Sequence, residues 1–223
     1  MCGRFTLTIS QEELHEYLDV TFDYPMNSES LNVPRYNIAP SQKIIVIIYD
    51  GSQYRVGHLT WGYLPDFAED VNSRYKMINV RSDSLQTKPF LKGALESKRC
   101  LIIADGFYEW QTIKKEKAPQ RITLKNQIVF TMAGIWNAYK DQENQVHYTC
   151  AIVTTAANDQ MKKIHERMPV ILDDDEQKYW LEGSALDFLP LLKKEITQTL
   201  TINPVSKHVN SVKNDDKKCI EVI

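Results

Sequence analysis

Hydrophobic and polar positions alternate along this chain with two periods. Ser10 followed three residues later by Glu13 forms a capping box, and Leu14, Tyr17 and Leu18 supply an i, i+3, i+4 stripe behind it. This predicts a short amphipathic helix over 11–19. Strand-like runs dominate the rest of the chain. Residues 43–49, the turn chemistry of Asp50-Gly51-Ser52, and residues 53–60 predict a β-hairpin. Further β-rich stretches fall at 77–80, 99–104, 107–112, 121–124, 127–132, 147–154 and 199–203. Helices are predicted at 90–97, at 158–165, and from the capping box of Asp173 with Glu176 to a stop at Gly183. Short strands, mostly separated by tight turns and interrupted irregularly by helices, predict an α+β fold. The expected architecture is a single domain around a mostly antiparallel, barrel-like β-sheet with a few peripheral helices.

Composition narrows the possible classes. The 223 residues are 43% hydrophobic and 25% charged, the mixture of a globular protein rather than a disordered or coiled-coil one. No linker or repeat divides the chain, so one domain over 1–223 is expected, its motifs ending near 210 and a tail occupying 211–223. The longest apolar run, Ile44 to Tyr49, is strand-sized, and the first ten residues lack the apolar core of a secretory signal. A cytoplasmic location without membrane contact is therefore expected. Cys2, Cys100, Cys150 and Cys219 are far apart, without the paired spacing of zinc or redox sites, so no metal is expected. A net charge of −2 argues against coating duplex nucleic acid by bulk electrostatics, and leaves room for a local basic cleft.

The first candidate chemistry is Cys2, directly after Met1. If Met1 is removed, Cys2 presents a thiol and an α-amine on adjacent carbons, with reference pKa values of about 8.5 and about 8. Both are then partly deprotonated near neutral pH. An aldehyde condenses with the amine to an imine, and the neighbouring thiol closes a five-membered thiazolidine. On residue type alone, Cys2 is equally an ordinary residue of an exposed terminus. Glu109 reads as the solvent-facing position of an alternating strand, His165 as a favourable charge at a helix end and Asn79 as a turn cap.

Longer motifs change that reading. Met1-Cys2-Gly3-Arg4-Phe5 resembles the opening of the SRAP family, the SOS response-associated peptidase domain. Arg35-Tyr36-Asn37-Ile38-Ala39-Pro40 is similar to its RYNxAP segment and Trp61-Gly62-Tyr63-Leu64-Pro65 to its WGxxP turn. Asn79-Val80-Arg81 resembles its NAR motif, and Arg99-Cys100 with Gly106-Phe107-Tyr108-Glu109-Trp110 its RC and GFYEW block. His165-Glu166-Arg167-Met168-Pro169 is similar to HxRMP, and Asn203-Pro204-Val205-Ser206 with Val209-Asn210 to the closing segment.

The resemblance implies covalent capture of abasic sites in single-stranded DNA, with Cys2, exposed by autoproteolytic removal of Met1, as the covalent residue. It implies that Asn79 holds the sugar or the amine, that Glu109 accepts a proton and orients the amine, and that His165 shuttles protons at the sugar oxygen. No cofactor is implied, protein partners are undefined, and a DNA-associated monomer is expected. A carboxylate and an imidazole beside an aminothiol suit imine formation, which needs first a neutral amine and then an acid to expel water. Arg4, Arg81 and Arg167 each lie within two residues of one of these positions, and arginine forks suit phosphate. Trp61, Trp110 and Pro40 are candidates for stacking against bases, with core packing the alternative for both tryptophans. Asn37 and Gly62 are placed on the same face by resemblance. A thiol peptidase using Cys2 with His165, and a non-covalent reader of modified DNA, are the competing activities. Asp83, Asp105 and Phe67 depart from the family pattern, which commonly has glutamate, proline and tryptophan there.

Overall fold

A computed structural model describes residues 2–25, 30–193, 196 and 198–223. Met1, whose removal the thiazolidine chemistry requires, lies outside the described residues. In chain order the elements are β1 (Phe5–Leu7), α1 (Gln11–Phe22), β2 (Arg35–Ile38), β3 (Lys43–Tyr49), β4 (Tyr54–Trp61), β5 (Asn79–Arg81), α2 (Ser82–Thr87), α3 (Pro89–Ser97) and β6 (Arg99–Ala104). Then come β7 (Gly106–Ile113), β8 (Glu116–Leu124), β9 (Phe130–Lys140), β10 (Val146–Ala156), β11 (Arg167–Pro169), β12 (Ile171–Leu172), α4 (Asp174–Glu182), α5 (Ala185–Leu191) and β13 (Leu200–Pro204).

Five strands close on themselves. β10 pairs with β4, β4 with β3, β3 with β6, β6 with β9, and β9 returns to β10, so the ring leaves no free edge. All five pairings are antiparallel except β4–β10. The α+β, barrel-like, mostly antiparallel expectation is therefore met. Both faces of the barrel wall are covered: the neighbours Leu101 and Ile102 on β6 point to opposite faces, and both are fully buried. Close packing dictates Gly134 on β9, where a Cβ would stand 2.8 Å from Cys100 Sγ and 2.9 Å from Ile102 Cδ1. Cys100 and Cys150 are fully buried, as inert core thiols would be.

Two features outside the ring position the site. A second sheet, ordered β13-β8-β7-β1-β2, lies beside the barrel. β10 also outruns the barrel. Beyond Ile152 it pairs in parallel with β5, through Val153↔Val80 and Thr154↔Arg81, and antiparallel with β11, through Thr155↔Met168 and Ala156↔Arg167. One strand thus carries the Asn79 segment and the Arg167 segment on its two edges.

The helix expected over 158–165 is not formed. Only a 3-10 turn, Met161–Lys163, is present, because β11 must begin at Arg167 to meet β10. β9 is longer than predicted: its outer half, Trp136–Lys140, pairs with β10 residues 146–150. The predicted tail is ordered. Cys219 is buried against Tyr108, Val205 and Val209 in a satellite core. Among the described residues no helix is long and apolar enough to cross a membrane.

Candidate functional site

Strand pairing delivers Cys2 to its surroundings. β1 and β7 are antiparallel with Phe5↔Phe107 and Thr6↔Gly106, and the Tyr108 amide donates to Arg4 O at 2.9 Å. Continued outward, this register puts Gly3 opposite Glu109. Cys2 itself is fully buried. Burial first, and then the Glu109 carboxylate, push its thiol far above the ordinary range, so it is held protonated.

Glu109 is 4% exposed, which removes the solvent-facing reading. On β7, Phe107 and Tyr108 point to opposite faces, and each face is covered by its own hydrophobic cluster. Alternation along β7 therefore selects between two buried sides. Asn79 opens β5 and donates from Nδ2 to Cys2 O at 2.7 Å, while its Oδ1 is buried without a hydrogen-bond partner. It is a strand residue rather than a turn cap. His165 follows the 3-10 turn, and its Nδ1 accepts the Arg167 amide at 3.0 Å. The ring proton of the neutral imidazole accordingly sits on Nε2. Gln111 Nε2 donates to Lys163 O at 3.0 Å, which ties β7 to the segment carrying His165.

Asn79, Arg81, His165 and Arg167 line one open cleft together with Ser84 and Lys88. A larger cleft, beside Glu16, Val20 and Ile128, contains none of the candidate groups. Arg167 donates through Nη2 to Thr154 O and Oγ1, and its buried Nε has no acceptor. Desolvation and the nearby Arg81 guanidinium lower its pKa. Arg81 is exposed and forks onto Asp83 with two 3.2 Å contacts. Both arginines help to hold the Asp83 carboxylate below its ordinary pKa, Arg81 chiefly through hydrogen bonding. The shorter Asp83 thus serves as partner to the cleft arginines.

Arg4 takes the other side of the sheet. Its Nη1 donates to Asn37 Oδ1 at 2.7 Å and to Val209 O at 2.9 Å, and its guanidinium lies 5.9 Å from the Trp110 ring centroid. The Trp110 indole is partly exposed and donates to Asn210 Oδ1 at 2.8 Å. Asp105, in place of the family proline, is buried and accepts from Thr6 and Thr8 beside Arg121.

Two expected DNA contacts are placed elsewhere. Trp61 has no solvent exposure; its ring packs edge-on against Phe5 at 5.3 Å and its indole N–H donates to Ile78 O. It is a core residue, the alternative left open from sequence, and presents no face to a base. Asn37 is fully buried, with Nδ2 donating to the Val209, Ser211 and Asn214 carbonyls. Pro40 is half-buried in a turn tied to Trp61 through Ser41 N–H to Trp61 O. Gly62 has φ +147°, and a Cβ there would reach 2.9 Å from Lys76 Cδ. Sequence reasoning missed an exposed aromatic ledge in which Phe67 contacts both Tyr75 and Phe90 at 5.2 Å, with Arg74 over Tyr75 and Lys88 over Phe90. No local periodicity signals it, since loops and a helix start supply its members.

The fold and motif arrangement define an SRAP protein: the chain belongs to the SOS response associated peptidase (SRAP) family, whose profile matches residues 1–212. Among particular relatives, it is 43% identical over 225 residues to the abasic site processing protein YoqW of Bacillus subtilis (strain 168), with 99% of each chain covered. It is 29% identical over 263 residues to the abasic site processing protein HMCES of Xenopus tropicalis, covering 100% of this chain and 78% of that one. The fold matches a crystal structure of a protein from Bacteroides thetaiotaomicron with a TM-score of 0.85, at 21% identity and full coverage of both chains.

Proposed function

We propose that this protein processes abasic sites in DNA by capturing them covalently in single strands, through an N-terminal Cys2 exposed when Met1 is removed. The hydrogen bond from Asn79 to the Cys2 carbonyl carries the reading, because it fixes the backbone of the would-be aminothiol beside buried Glu109. The names of the relatives, abasic site processing proteins, support the substrate.

Hydrolysis of the Met1–Cys2 amide frees the α-amine. The neutral amine adds to the C1′ aldehyde of the ring-opened deoxyribose, and the resulting carbinolamine loses water to give an imine. Cys2 Sγ then adds to the imine carbon while the thiol proton passes to nitrogen. The balance is aldehyde plus aminothiol giving thiazolidine plus one water, with no redox change. A protonated thiol suits this order, since the amine must react first. Glu109 takes the ammonium proton and later relays the thiol proton. His165, with its Nε2–H, serves the departing sugar oxygen, and Asn79 Oδ1 is available to a sugar hydroxyl or the amine. Arg4, Arg81 and Arg167 take phosphates, and Trp110, Pro40 and the Phe67 ledge take unpaired bases. We further propose that residues 1–223 act as one cytoplasmic, monomeric domain.

A Cys–His peptidase needs a thiolate, and the burial that keeps Cys2 protonated favours the aldehyde over the amide as its target. Incubation with an abasic oligonucleotide, followed by denaturing electrophoresis and intact mass, tests the reading. The expected product is a denaturation-resistant adduct on protein lacking Met1, absent in Cys2→Ala. No adduct, or an equal adduct in Cys2→Ala, overturns it.

A further inference from the structure

The segment beyond residue 212, outside the matched family profile, reaches back into the site. Asp215 Oδ1 accepts the amides of Tyr36 at 2.6 Å and Asn37 at 2.9 Å, and Oδ2 pairs with Arg35 Nε. One carboxylate thus fixes three consecutive residues of β2. Asn214 O, the adjacent carbonyl, accepts Asn37 Nδ2 at 2.6 Å. The Asn37 carboxamide is oriented at both ends: the two Nδ2 protons are shared among three carbonyls, and Oδ1 accepts from Arg4 Nη1. Because Nδ2 is fully committed to carbonyls, Oδ1 must face Arg4 and the amide cannot turn over. Arg4 makes a further, 3.4 Å contact from Nη2 to Asn210 O. These bonds use both Nη1 protons and one on Nη2. They leave the Nε–H and the second Nη2–H, the side fork that grips a phosphate bidentately.

We propose that Asp215 is a positioning residue for DNA: through the β2 backbone and Asn37 it sets the Arg4 fork toward a backbone phosphate. This rests on the reading of Arg4 as a phosphate contact. Asp215 touches neither DNA nor the reacting atoms. It neutralises Arg35 and seats the amides, so Asp215→Asn keeps the shape while turning an N–H toward a cation. The neighbouring His208, Asp216 and Cys219 have donor atoms within 4.8 Å of one another. Both ring nitrogens of His208 are engaged, by Asp216 and Asn214, so this trio serves as a hydrogen-bonded brace for the same turn.

A double-mutant cycle on Asp215 and Arg4 tests the proposal, using fluorescence anisotropy with a single-stranded oligonucleotide that carries a tetrahydrofuran abasic analogue, which binds without reacting. Asp215→Asn is expected to raise Kd about five- to tenfold. It should also make the plot of log K against log salt shallower by about 0.7, the share of one single-strand phosphate. In an Arg4→Ala background the same change is expected to alter Kd less than about twofold. Equal losses in both backgrounds, an unchanged Kd in folded Asp215→Asn, or no binding by the parent protein overturns the proposal. If Asp215→Asn does not fold, Asp215→Glu enters the same cycle with the same outcomes. The capture assay with a true abasic site is run alongside. Absence of adduct in the parent refutes covalent capture, while the anisotropy cycle still decides the role of Asp215.

Discussion

Asn79 Nδ2 donates to the carbonyl oxygen of Cys2 at 2.7 Å, across 77 positions of sequence. The bond joins β5, held on the barrel strand β10, to the segment held by β7, and so fixes the distance between two independently supported pieces. Asn79→Ala leaves a part-buried carbonyl without its donor, which costs about 1–2 kcal/mol. The expected result is single-turnover adduct formation slowed about tenfold or more, with Tm lowered by a few degrees. An unchanged rate would remove Asn79 from the site.

Glu109→Gln separates electrostatics from proton transfer. The carboxylate is the second cause of the raised Cys2 thiol pKa, after burial, so its removal makes the thiol more acidic. Faster thiol alkylation is therefore expected in the variant, together with adduct formation slowed roughly 100-fold by loss of the proton acceptor. If alkylation and capture both accelerate, Glu109 is only a brake on the thiol.

Asp83 pairs with Arg81 and sits within the field of Arg167, so on the proposed reading it is the competitor of a DNA phosphate there. Asp83→Asn should tighten binding to single-stranded DNA severalfold at low salt, and Arg81→Ala should weaken it about tenfold with a salt slope shallower by about 0.7. Titrations at two salt concentrations check both signs. Tighter binding after Arg81→Ala would place the phosphate elsewhere.

Trp61 and Trp110 should respond oppositely. Truncating the wholly buried Trp61 to alanine is expected to cost about 3–5 kcal/mol of stability, read by urea unfolding. Trp110→Ala is expected to spare most of the stability and to weaken DNA binding by about 1–3 kcal/mol of lost stacking. Normal DNA affinity in Trp110→Ala would discard its stacking role.

Burial raises the pKa of Cys2, Cys100 and Cys150 above their unfolded value near 9.0. The folded chain keeps protons that the unfolded chain releases, so this contribution is complete below about pH 9 and is lost as pH climbs toward the folded values. Tm should change little from about pH 7 to 8.5 and then fall, each thiol contributing up to about 1.4 kcal/mol per pH unit. A Tm that rises between pH 9 and 11 contradicts the assignment.

The β3–β4 hairpin and β6 were legible because alternation and turn chemistry act locally, and both appear with the boundaries expected within a residue. The segment 158–165 misled because its helical pattern was overruled by the pairing of Arg167–Pro169 with β10. β5 falls at the end of the stretch expected at 77–80, whereas β11, three residues long, is too short to show a period, although its motif marked it by resemblance. The candidate residues Cys2, Asn79, Glu109 and His165 were identifiable as motif members. The burial of Glu109 and the protonated state of Cys2 were not, since both depend on the main core covering what looks like an open strand face. Trp61 and Asn37 show the converse, where motif membership reflects packing.

The extension of β10 beyond the barrel makes the surroundings of Cys2 depend on strands synthesised much later. Cys2 leaves the ribosome first, but β10, its two edge strands and the turn holding Asp215 span residues 79 to 215 of a 223-residue chain. Cys2 is emitted long before the strands that complete its surroundings: β11 ends at Pro169, and the Asp215 contact to β2 follows later still. A nascent fragment that stops short of β10 therefore carries Cys2 while Asn79 still lacks the strand that holds it.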